Sequence, residues 1–113
     1  MQVVNGLEEA RTALRGGARA LVSPPFAACH AGVGYYVALL DMLRAEFPEA
    51  DFTFTVCCGD DAAVAHDALR LGLSPVVVAT TAPMFATLGA IARGLDATVK
   101  SAYPRANRTK ETS

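Results

Sequence analysis

The chain has 113 residues, 52% of them apolar and 19% charged, and carries a net charge of −1 at neutral pH. That length fits one domain with a single core. It has no basic stripe able to neutralise several phosphates and no apolar run of transmembrane length, so neither nucleic acid nor a membrane is an expected partner. The charged fraction also falls below the roughly one quarter usual in globular domains. Surplus apolar surface has two outlets, a sheet covered on both faces or contact with a second copy, and a homo-oligomer is expected. The opening MQVVNGLEEA lacks a basic n-region and an apolar h-region, so the expected location is cytoplasmic. Three cysteines at irregular spacing suit free thiols in that reducing compartment better than a disulfide framework.

In chain order, NGLEEARTALRGG reads as a short helix, with Asn5 as its cap, Glu8 as capping-box partner and Gly16-Gly17 as its end. RALVS (19–23) reads as a buried strand stopped by Pro24-Pro25. Val33, Tyr36, Val37, Leu40, Leu43 and Phe47 fall at helical spacing, and Pro48 closes that helix. DFTFTVCCG alternates Phe52, Phe54 and Val56 with Thr53, Thr55 and Cys57, a period of two whose softer second face predicts an edge strand. Asp60 or Asp61 then caps a helix carrying Val64, Ala65, Ala68, Leu69 and Leu71. PVVVAT (75–80) is a continuous apolar run, the pattern of a central strand. Pro83 sits near the first turn of a helix with Phe85, Leu88, Ile91 and Ala92 on its inner stripe. A last weak strand is expected over 97–102.

The alternation predicts an α/β fold, a small three-layer sandwich on a mostly parallel four-stranded sheet in the order (α)βαβαβαβ, filling residues 1–103. Half a barrel completed by a second copy uses the same elements. The tail, PRANRTKETS, sets Arg105, Arg108 and Lys110 against Glu111, lacks apolar periodicity, and is expected to be disordered.

In open parallel sheets, ligands sit beyond the carboxyl ends of the strands, where the strand order reverses. With the first and third strands central, one wall of that crevice is FAACHAGVG (26–34). Cys29 and His30 stand side by side there, either as a thiol and its base, or with His30 facing a ligand, or as gap filler and surface histidine. Gly32 and Gly34 can present backbone N–H groups to an anion at a helix start, although the dinucleotide fingerprint fails at Val37. They can equally serve a tight turn. In CCGDD (57–61), neighbouring cysteines face opposite sides of a strand, one carboxylate caps a helix, and the other is free to act as acid, base or acceptor. The order acidic pair, Thr, Lys100 resembles phosphoacceptor receiver domains over those three positions alone. The separate phosphorylated aspartate of such domains has no counterpart, so no roles are carried over.

The expected function is binding of a small polar or anionic molecule at the carboxyl edge, lined by Ser23, His30, Gly32, Gly34, Asp60, Thr80 and Thr81. Candidate catalytic residues are Cys29, His30 and Asp60; no metal site is expected, and the sequence specifies no cofactor. The alternatives are a non-catalytic homo-oligomeric interaction protein and a thiol- or acid–base-dependent enzyme.

Overall fold

The computed structural model describes residues 1–103; the tail read at 104–113 lies outside them. Ten elements follow one another: β1 (Gln2–Val3), α1 (Leu7–Arg15), β2 (Ala20–Val22), α2 (Ala27–Ala31), α3 (Val33–Glu46), β3 (Thr53–Cys57), α4 (Ala62–Arg70), β4 (Val76–Val77), α5 (Ala82–Gly94) and β5 (Val99–Lys100). The α/β class and the parallel sheet stand as read. The sheet has five strands rather than four, because Gln2–Val3 adds a parallel edge strand against Leu21–Val22. A two-residue strand is too short to carry a period, which is why the sequence pattern passed over it.

The strand order is β1-β2-β3-β4-β5, every pair parallel. β3, expected at an edge, is therefore the middle strand, and the order never reverses, so the crevice expected at a reversal point has no counterpart. When every right-handed crossover steps to the next neighbour, all helices fall on one face. Accordingly α1 packs on α3, α3 on α4 and α4 on α5, a continuous run of helix contacts along the sheet.

The two faces of the sheet divide by parity. Val4, Leu21, Phe54, Val56, Cys58, Val76 and Val78 meet the helices in one core cluster with Leu14, Leu40, Leu43, Leu69 and Leu88. The opposite parity presents Val22, Thr55, Cys57 and Val77, all at most 4% exposed and in register across the three middle strands. Thr and Cys thus mark the second face of a central strand, not a solvent face.

Local signals place most helix ends. Asp61 caps α4, its Oδ1 accepting from Ala63 N at 3.0 Å and Val64 N at 3.1 Å. Thr81 caps α5 through Met84 N, with Pro83 in the first turn. At α1 the cap moves to Gly6, and Asn5 donates its backbone and side-chain N–H groups to Glu9 rather than pairing with Glu8. Glu8 turns instead to Arg11. Arg11 also makes a bidentate pair with Glu46, at 2.7 and 2.6 Å, tying α1 to the last turn of α3.

Thr55 Oγ1 is buried with no hydrogen-bond partner among the described residues. A buried hydroxyl left unsatisfied costs about 1–3 kcal/mol. The near-isosteric Thr55→Val is therefore expected to raise the unfolding free energy by about 1 kcal/mol; a urea midpoint equal to or below that of the parent chain would show that the hydroxyl is satisfied.

Candidate functional site

Four connections run along the carboxyl edge of the sheet, and the two central ones are knitted together. β2 ends because Pro24 and Pro25 cannot continue the ladder. Ser23 then substitutes its side chain for the ladder: its N donates to Thr55 O at 2.9 Å, and its Oγ accepts from Cys57 N at 2.9 Å. Its carbonyl accepts the Tyr103 hydroxyl at 2.7 Å. Ser23 is fully buried, so this expected ligand contact is a junction of the fold. The Tyr103 contact draws the chain after β5 back to the end of β2.

Phe26 adopts φ 61°, a left-handed conformation that is an outlier for a bulky side chain. Its ring lies on Gly59, itself at φ 57°. A Cβ at Gly59 would stand 2.2 Å from the ring, so only glycine fits. From here α2 leads to Gly32 at φ 94°, where the chain turns into α3. Gly32 thus fits the tight-turn reading. Gly34 is exposed, and a Cβ there would meet nothing within 4 Å, so neither turn nor packing requires a glycine. No side chain among the described residues caps α3, which leaves its first N–H groups without a side-chain acceptor there.

Cys29 and His30 lie on α2, both exposed. The Cys29 thiol donates to Cys58 O at 3.2 Å rather than to His30. Burial, then Asp61 and Asp60, push its pKa up. Cys57 is pushed up to about 11, chiefly by burial, against a hydrogen bond from the Phe26 backbone that lowers it; Cys29 adds to the rise. Cys58 is pushed up to about 12 by burial, then by Cys29, Cys57 and Asp61. All three thiols are held protonated in surroundings that disfavour negative charge, the reverse of an activated nucleophile. Asp60 is exposed, with its charge felt at Cys29.

Thr80 is half-buried and Thr81 exposed as the α5 cap, both following β4. The structure therefore brings Ser23, Cys29, Asp60 and Asp61 together across β2 and β3, with His30 and Gly32 on the adjoining α2–α3 turn. Thr80 and Thr81 stand one strand further along. Phe26, Gly59 and Tyr103 were not singled out by the sequence reading. Gly59 carried a usable signal, a glycine at a strand-to-helix turn; nothing marks a phenylalanine as left-handed, and Tyr103 reaches the edge only through the fold.

Among the described residues, no group of three His, Cys, Asp or Glu side chains forms a metal site, and no helix is long and apolar enough to cross a membrane. Compared with protein-family models, curated proteins and solved structures, the chain matches none.

Two expectations follow from this geometry. Ser23→Ala orphans the buried Cys57 N–H and should cost about 1–3 kcal/mol in urea unfolding; an unchanged midpoint would remove Ser23 from the junction. A thiol whose pKa is higher folded than unfolded stabilises fully below its ordinary value of 9.0, and that contribution is lost as pH rises through the folded values of about 11 and 12. Urea midpoints should hold level to about pH 8 and then fall steadily through pH 9–11. A flat profile there would contradict the burial of both thiols.

Proposed function

We infer that the protein binds a small polar molecule at the carboxyl edge of the sheet, between the segment from Ser23 to Gly32 and the segment from Cys58 to Asp61. The observation that carries this reading is the pair of left-handed residues in contact there, Phe26 on Gly59, with Phe26 45% exposed. Backbone strain held in place by surrounding structure concentrates at ligand sites. His30, Asp60 and the uncapped start of α3 supply polar contacts around it. Asp60 and Asp61 make the β3 side negative, so an anionic group of the ligand is received on the α3 side. Thiol chemistry at Cys29 is opposed by the same two carboxylates.

A second reading, assembly with further copies, is favoured by one feature of α5. From Ala82 to Ala92 it carries no charge, and Ala82, Pro83, Met84, Ala86 and Ala90 are exposed. A cytoplasmic homo-oligomer with the edge site open fits both readings.

Native mass spectrometry of the freshly purified chain separates them. The binding reading expects a stoichiometric adduct that His30→Ala loses without altering the assembly mass. If His30→Ala retains the adduct with unchanged affinity, the site is misplaced. A multimer without adduct would put the α5 surface first.

A further inference from the structure

We propose that α2 is a hinged lid on the carboxyl edge, opening as a unit about Phe26 and Gly32 while the rest of the fold stays closed. The motion belongs to the chain itself and does not depend on what binds at the edge. The short helix, five residues long, is bounded on both sides by left-handed residues, Phe26 at φ 61° before it and Gly32 at φ 94° after it. Each end is thus a backbone break where a rotation is absorbed without disturbing β2 or α3.

Little holds the element down. Ala27 and Ala28 are its only buried side chains, the smallest apolar groups available, while Cys29, His30 and Ala31 are exposed. Among the described residues, the hydrogen bond from Cys29 Sγ–H to Cys58 O, the one from the Phe26 backbone to the Cys57 thiol, and the Phe26 ring on Gly59 fasten it to the end of β3 and the β3–α4 connection. The ring contact is made at the expense of a strained Phe26 backbone, so opening relieves strain as it breaks the contact. By contrast α3, next in the chain, buries Tyr36, Leu39, Leu40 and Leu43 and is pinned by Arg11 through Glu46. Two small buried side chains against three exposed residues mark α2 as the segment that opens locally, before the global transition.

Lifting α2 uncovers Cys58, which is fully buried in the same core cluster as Ala27 and Ala28. That thiol reports the motion. The experiment is pulsed N-ethylmaleimide labelling of Cys58, read by peptide mass spectrometry across sub-denaturing urea. It is run on the full chain carrying Cys29→Ser, so that alkylation at position 29 cannot itself prise the element open. A lid gives Cys58 labelling with a much shallower urea dependence than the loss of circular dichroism. Gly59→Ala, which drives the ring off its seat, should speed that labelling by about 10-fold or more. Phe26→Asn, which removes the ring at a position asparagine tolerates, should act in the same direction and carries the test if Gly59→Ala does not fold. If Cys58 labels only with the urea dependence of global unfolding, or if Phe26→Asn changes labelling no more than it changes global stability, α2 is a fixed part of the core and the proposal fails.

Discussion

The architecture depends on one constraint, the addition of each strand in parallel on the same side of its predecessor. That order, with right-handed crossovers, puts all the helices on one face and assigns the two faces of each strand different tasks. Leu21, Phe54, Val56, Val76 and Val78 build the helix-packed core. Val22, Thr55, Cys57 and Val77 close the other face. It also brings the strand-to-helix connections out along one edge in sequence order, so the connections after β2 and β3 are neighbours by construction. In a doubly wound sheet a reversal of order would open a crevice between two such connections. Here none opens, and neighbouring connections lie against each other instead.

That proximity explains why much of the polar chemistry at the edge is spent on structure. Ser23 holds four partners across β2, β3 and the segment after β5. Asp61 is committed to the first turn of α4, and Thr81 to that of α5. The Cys29 thiol bonds a carbonyl. What stays uncommitted among the described residues includes a short stretch of surface on and beside α2, namely His30, Gly34, Asp60 and the exposed part of Phe26. A binding site reads more convincingly there than at the junction residues, because groups already paired would have to break those bonds to meet a ligand.

The fold class was legible because its long elements carry clean periods. The α3 stripe of Tyr36, Leu40 and Leu43 and the α4 stripe of Ala65, Ala68 and Leu69 are buried as their spacing requires. The caps at Asp61 and Thr81 obey local rules that need no tertiary knowledge. What escaped depends on distant partners. The position of β3 turned on reading the softer face of Thr53, Thr55 and Cys57 as the mark of an edge strand, whereas a strand buried on both faces can hide such residues on its second side. Gln2–Val3 becomes a strand only because Leu21–Val22 offers it an edge. Around the site, Cys29, His30 and Asp60 were visible as residue types, but their surroundings were set by Phe26 and Gly59, whose pairing exists only in three dimensions.

Where local preference and fold agree, sequence reading succeeds; where they conflict, the fold is holding the chain against its preference. Over most of this protein the two agree. At Phe26 they do not. A bulky residue that prefers extended or right-handed backbone is held left-handed, on a glycine whose missing Cβ makes room for its ring. A glycine at 26 would satisfy the backbone but leave Gly59 uncovered and the adjoining connections without their ring contact. The phenylalanine accepts strain in return for joining the β2–α2 and β3–α4 connections at the edge that also carries His30, Cys29 and Asp60. The buried core gives that strain no evident reason, since Phe26 is nearly half exposed. Its purpose belongs with the surface beside it, which is why α2 and its two hinges, more than the cysteine–histidine pair that first draws the eye, are the feature around which function is best sought.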